Sequence, residues 1–402
     1  MFKILDTSRE VSENKELQQL VSQVKNNPKY GFVKFIEDQN VWNQFSDTLN
    51  DLKSSHWQQL AVIGIGGSTQ GLKSLVTATH PEALDSRRLI IFDNLCGSSI
   101  LKNLEAIADP HETLWLFASK SGTTNETLIL INAIENYYQA KNISPFNKSV
   151  LISGSKDSPL AQWIIAKDGH IVDYPEGIEG RFSVLSTPAL LPYGLLGYDA
   201  EAVRSGALWL LNQDSLVAQL VEYFRGTFKE QRWVTHFWFY HANLVEFGKW
   251  LEQLWGESLG KGEDSSEKRV STPVFNLGSN DQHSVLQQMI EGYPDKAHLV
   301  TYYLKETGPK ISSPIDEAFE LYKGYSTDHL LNLFAQSTHK SLSRKNPSML
   351  FEISEVSDQT MGALFMLYQL LVTSIGESMG IEVYGQPGVE ESKTIFRGLL
   401  TS

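Results

Sequence analysis

Ser119-Lys120-Ser121-Gly122-Thr123-Thr124 packs four hydroxyls, a glycine and a lysine between an apolar run, Thr113 to Ala118, and a segment able to start a helix at Asn125. Such a junction suits a phosphate. The unpaired N–H groups of a first helical turn, the positive end of the helix dipole and short O–H donors can converge on one anion. The same residues would also make an ordinary turn and N-cap, and a helix terminus by itself names no substrate. Gly64-Ile65-Gly66-Gly67-Ser68 follows a second apolar run and permits close backbone approach to a ligand. Neither nucleotide pattern fits it. Thr69 stands where a dinucleotide fingerprint has its third glycine, and Leu72 intrudes between Gly71 and Lys73-Ser74 where a Walker A loop allows no residue. One extra residue turns the lysine by about 100° around a helix.

Four further segments carry acid, base or charge. Arg181 lies in Glu176-Gly177-Ile178-Glu179-Gly180-Arg181-Phe182-Ser183, either as a surface ion-pair partner or as a cation that stabilises a reacting oxygen. Glu257, in Trp255-Gly256-Glu257-Ser258-Leu259-Gly260-Lys261, closes a helical run from Leu244. There a carboxylate opposes the dipole, which is unfavourable for a solvated charge but useful for a general base. His283 follows a strand-like Val274–Leu277 and opens another helix. Gln386 and Lys393 bracket a Pro-Gly helix entry near Val389, where a lysine beside two glutamates usually makes surface ion pairs.

These groups need a scaffold, and the chain supplies a recognisable one. Short apolar runs at Leu60–Ile65, Leu89–Phe92, Thr113–Ala118, Ser149–Ile152 and His170–Tyr174 alternate with helical stretches. A second series follows at Trp233–Phe239, Val274–Asn276, His298–Tyr303 and Met349–Ile353, with the longest helix from Gln359 to about Met379. The pattern predicts an α/β fold of two doubly wound, mainly parallel sheets flanked by helices, with ligands at the carboxyl ends of strands. Residues 1–55 read as helical. The Pro/Gly-containing stretch 186–199 reads as a connection, dividing the chain into 1–190 and 191–402. A length of 402 residues suits two domains, and 41% hydrophobic residues allow sizeable cores. A net charge of −13 without a basic cluster argues against nucleic acid. A single cysteine, Cys96, rules out an intramolecular disulfide, and no leader or bilayer-length apolar run is visible; both point to a cytoplasmic protein without a membrane segment.

Taken together, the segments resemble the phosphoglucose isomerase family over roughly residues 60–400. EGIEGRFSVLS (176–186) is similar to that family's first signature, and GIEVYGQPGVEESK (380–393) to its C-terminal one. IGIGGS, SKSGTTNET, ESLGK and QHS follow in the family's order. The resemblance implies two sugar-isomerase-type (SIS) domains in a homodimer with shared active sites, and reversible aldose–ketose conversion of glucose 6-phosphate and fructose 6-phosphate without metal or organic cofactor. It implies that Ser119, Ser121 and Thr124 hold the phosphate, with Gly67, Ser68, Lys120, Thr123 and Gln386 nearby. Glu257 is then the proton-transfer base, Arg181 stabilises the enediolate, and His283 from the neighbouring subunit works with Lys393 on ring opening. Glu126 aligns with a family glutamate near that lysine. Glu179, Pro387 and the LGSNDQ segment before His283 depart from the usual versions, and the regions flanking the match are short for the family. Another sugar phosphate, such as mannose 6-phosphate, or a noncatalytic sensor would be the rival readings; a sensor needs the phosphate loop but not the acid/base groups.

Overall fold

The computed structural model describes residues 1–9, 14–261, 268–313 and 315–400. Among the described residues, ten strands form two five-stranded sheets. The first contains β2 (Gln59–Ile63), β3 (Leu89–Phe92), β4 (Thr113–Ala118), β5 (Ser149–Ser153) and β6 (His170–Asp173) in the order β3-β2-β4-β5-β6, parallel throughout. Its three central strands are buried almost end to end, which is why they read as unbroken apolar runs rather than alternating ones. The second sheet contains β7 (Val234–Phe239), β8 (Thr272–Leu277), β9 (Lys296–Tyr303) and β10 (Ser348–Ile353), again parallel. With β1 (Phe2–Thr7) at its edge, its order is β1-β10-β9-β7-β8. The expected mixed α/β class of mainly parallel sheets flanked by helices is the class observed.

Two segments differ from the sequence reading. Phe2–Thr7 is not helical; it is β1, an antiparallel edge strand on β10. Six residues offer too short a window to separate the periods of strand and helix, and what settles the matter is packing: the Phe2 ring meets Trp209 and Phe351. The stretch expected to connect the domains contains instead a helix, Thr187–Leu195, with all nine residues buried. Pro188 sits in its first turn, where the missing N–H has no partner to lose, and burial of the remaining apolar side chains offsets the hydrogen bond forfeited at Pro192. The helix Asp358–Met379 is the longest among the described residues and is buried from Thr360 to Gly376. It belongs to one apolar cluster that also takes in residues of both sheets, so the two halves share a core. No helix among the described residues is long and apolar enough to cross a membrane.

Candidate active site

Strand order places the anion loops. Because β2 is flanked by β3 on one side and β4 on the other, the connections leaving β2 and β4 diverge, and a crevice opens beyond their carboxyl ends. Gly64–Ser68 leaves β2 there and Ser119–Thr124 leaves β4. Helices Gly67–Thr79 and Asn125–Gln139 start at these loops, and neither has a side-chain N-cap hydrogen bond. Two sets of first-turn N–H groups therefore border one crevice without competition from a capping side chain. The β4 loop is pre-shaped by its own hydroxyls. Ser119 Oγ lies 3.3 Å from Thr124 Oγ1 and accepts from the Gly122 N–H at 3.2 Å, while Ser121 Oγ accepts from Thr123 N and Oγ1. Gly122 has φ +64° and lies so close to Ser158 that a Cβ would fall 2.1 Å from its Oγ, so glycine is required twice over. Ser119 is buried, whereas Lys120, Ser121 and Thr123 are exposed. Lys73 turns away to Asp93 (3.0 Å) and Glu246 (3.6 Å), consistent with its Walker misfit.

The carboxylate–guanidinium pair arrives from other elements. A 3-10 turn, Gly180–Leu185, abuts the β2 loop so tightly that a Cβ on Gly67 would lie 2.2 Å from the Gly180 carbonyl carbon, and Ser183 Oγ donates to the Gly67 carbonyl at 3.1 Å. That contact fixes Arg181 beside the anion loops. Its side chain is 2% exposed. Arg181 Nη1 approaches Glu257 Oε2 at 3.3 Å; Nε donates to Ser258 Oγ at 2.8 Å, and Nη2 donates to the carbonyls of Val383 (2.6 Å) and Gly385 (3.2 Å). Burial lowers the guanidinium from its ordinary value, with Glu257 foremost among the carboxylates opposing the shift, and an arginine so placed stays protonated. Glu257 ends the helix Val245–Leu259 with 30% of its side chain exposed, and its other oxygen accepts from Gln253 Nε2 at 3.0 Å. The carboxylate at a helix C-terminus thus meets a compensating cation and keeps part of its surface exposed. Lys120 reaches Glu179 at 3.4 Å and ties the β4 loop to the Arg181 turn.

Gln386 immediately precedes the helix Pro387–Leu400 and is half-buried, as is Lys393 two turns into that helix. Glu126 is exposed in the first turn of Asn125–Gln139. His283 is the outlier. It ends a 3-10 turn, Asn280–His283, beyond the carboxyl end of β8, and is exposed. The helix Val245–Leu259 runs antiparallel to β8: a Cβ on Gly248 would meet the Phe275 ring, Glu252 accepts from Phe275 N, and Trp255 Nε1 donates to Ser271 O. Glu257 therefore lies at the amino end of β8 and His283 at the opposite end, on the order of 20 Å along the strand. One chain brings Glu257, Arg181 and the loops together, but not His283. Among the described residues no group of three or more His, Cys, Asp and Glu is gathered as a metal site. Sequence reasoning gave Gln253 and Ser258 no role, and marked Glu179 only as a departure from the signature, because a lone polar residue on a helix or turn carries no signal until its partner is known.

Fold and site define an α/β protein that can hold an anion beside a carboxylate–guanidinium pair at the mouth of a parallel sheet. The phosphoglucose isomerase family model matches residues 37–294, and the chain belongs to that family. It is 29% identical over 373 residues to a glucose-6-phosphate isomerase of Campylobacter jejuni subsp. jejuni, covering 90% of each chain. Among solved structures it resembles a hypothetical protein of Thermus thermophilus, with a TM-score of 0.84 and 26% identity over 96% of this chain and 94% of the other. The fold is shared with a glucose-6-phosphate isomerase of Chlamydia trachomatis, at a TM-score of 0.70 and 20% identity over 98% and 76% of the two chains.

Proposed function

We propose that this protein interconverts glucose 6-phosphate and fructose 6-phosphate in the cytoplasm, as a step of sugar breakdown and its reversal. The observation that carries this reading is the Arg181–Glu257 pair, held at 3.3 Å beside two uncapped helix N-termini. The loops Gly67–Ser68 and Ser119–Thr124, with Lys120 and Gln386, grip the phosphate, and that remote binding energy orients the carbon chain. His283 of a second copy and Lys393 move protons between O5 and O1 to open the ring. Glu257 then takes the C2 proton while the C1 carbonyl becomes an enediolate oxygen; as it returns that proton to C1, the O2 proton passes to O1 and the carbonyl forms at C2. Arg181 stabilises the negative charge on O1 and O2. A homodimer supports this chemistry because His283 and Glu257 lie at opposite ends of the second sheet within one chain. The test is a coupled assay of fructose 6-phosphate conversion with EDTA present and mannose 6-phosphate in parallel. No turnover of fructose 6-phosphate by the pure protein would refute the reading; equal turnover of mannose 6-phosphate would broaden the substrate.

A further inference from the structure

Lys261 does something no loop lysine needs to do. Its ammonium donates to three consecutive backbone carbonyls, of Glu382 (2.9 Å), Val383 (2.9 Å) and Tyr384 (2.7 Å). Residues 381–383 are in neither helix nor strand and Tyr384 is at a bend, so no ladder satisfies these carbonyls. The Val383 carbonyl also accepts from Arg181 Nη2 at 2.6 Å, and Gly385, next along, accepts from the same nitrogen. Two cations thus share one carbonyl. Arg181 reads the segment from the side of Glu257, and Lys261 holds it from the side of the helix end that carries Glu257.

We propose that Lys261 is a positioning residue for the isomerisation: by clamping the 382–384 carbonyls it fixes the platform on which Arg181 rests, and so sets the angle between the guanidinium and the Glu257 carboxylate. The inference rests on the isomerase reading above. Other contacts locate the segment but do not orient its carbonyls towards Arg181. The Glu382 carboxylate accepts from Tyr384 N and from Lys29, and the Tyr384 hydroxyl donates to Gly177 O. Only Lys261 and Arg181 share the Val383 carbonyl among the described hydrogen bonds. The arrangement is electrostatically costly. Burial, and then the charge of Arg181, lower the Lys261 ammonium to about 8 against the pull of Glu382, Glu179 and Glu257. Three carbonyl acceptors offset that cost. Without the clamp, the platform relaxes and Arg181 is free to close fully onto Glu257, which removes both the free face of the base and the cation aimed at the substrate oxygens.

Wild-type turnover is measured first, because a chain that interconverts neither sugar refutes the isomerase reading itself. With turnover in hand, Lys261→Met is compared with wild type in kcat, in inorganic phosphate affinity by calorimetry, and in affinity for a phosphorylated five-carbon aldonate whose planar carboxylate mimics the enediolate. The expected result is a loss of about 10–100-fold in kcat, the scale of a small misplacement of reacting groups. Aldonate affinity should fall with it, and by at least about tenfold more than phosphate affinity, since the loops Gly67–Ser68 and Ser119–Thr124 are on other elements and only Gln386 adjoins the clamped segment. Lys261→Arg, which keeps charge and donors, should recover most of the rate. If Lys261→Met does not fold, Lys261→Gln carries the same comparison. A kcat within about twofold of wild type, or phosphate and aldonate affinities that fall together, overturns the positioning role while leaving the isomerase reading intact.

Discussion

Arg181 donates from all three guanidinium nitrogens, and only one of those contacts is to Glu257. The remaining donors are taken by a serine hydroxyl and backbone carbonyls, so the cation is oriented by the fold rather than by the carboxylate it serves. Glu257, with one oxygen towards Arg181 and the other on Gln253, is held from two sides, as the proposed base requires. Glu257→Gln should keep the shape and remove the base. Expected is a loss of about 10²–10⁴ in kcat with little change in KM, measured by the coupled assay. Near-wild-type turnover would move the base elsewhere. This part of the site was legible in sequence as separate motifs. Strand-to-helix glycines and hydroxyls announced an anion crevice, and Arg181 and Glu257 stood in segments of unusual composition. The direct ion pair was not legible, because residues 181 and 257 lie on different elements joined by tertiary contacts, among them Trp250 Nε1 to the Arg181 carbonyl, Arg181 Nε to Ser258 and the Gly67–Gly180 approach.

At the scale of elements, the strands with both faces buried were read correctly because apolar runs bounded by glycine or charge have few alternatives. β1 and the helix Thr187–Leu195 were missed, because tertiary burial decided them against local cues of length and proline. The β4 loop tests the anion reading directly. Replacing Ser119 and Thr124 together by Ala should weaken binding of inorganic phosphate and of 6-phosphorylated sugars alike, by about 1.5–3 kcal/mol for each lost hydrogen bond to a charged group, not strictly additively. An unchanged phosphate inhibition constant would locate the anion elsewhere. The second sheet carries a separate liability. His236 on β7 and His298 on β9 are in register, stacked with ring centroids 5.3 Å apart, near Lys296. Burial pushes His236 down to about 4 and His298 well below the usual imidazole value, and Lys296 adds to both shifts. The folded state keeps both neutral, while the unfolded chain binds protons below about pH 6.5. Their contribution to stability is therefore complete above that pH and is lost as pH falls towards 4. For His236 that loss is on the order of 3 kcal/mol. Urea midpoints taken from pH 7 to 4 at fixed protein concentration should fall steeply, and His236→Asn should flatten the slope whatever its effect at pH 7. An identical slope in both proteins would exclude this imidazole as the acid trigger.

For the whole molecule, the decisive fact is that one chain keeps His283, the proposed ring-opening group, apart from Glu257. His283 stands exposed at the carboxyl end of β8, and Glu257 faces the first sheet from the other end. The helix carrying Lys393 leaves Ile395 57%, Leu399 71% and Leu400 70% exposed, and Tyr293, ten residues beyond His283, is 80% exposed. Exposed apolar groups on the helix that bears Lys393, and close in sequence to the turn that bears His283, are what a partner surface would cover. A second copy related by two-fold symmetry would offer His283 to the Glu257 of its neighbour and receive the reciprocal contact, as isologous dimers do. Complementation tests this without a structure of the dimer. Glu257→Gln and His283→Ala homodimers should each be nearly inactive. In a mixed dimer, the Glu257→Gln subunit lends its intact His283 to the intact Glu257 of the other subunit, so one of two sites is whole. Random exchange makes half the dimers mixed, and the pool should recover about a quarter of wild-type activity. Substrate added in the open-chain form should bypass the defect of His283→Ala but not that of Glu257→Gln, separating ring opening from proton transfer. Verified subunit exchange without any return of activity would mean that His283 does not act across the interface, and that ring opening in this protein rests on another group.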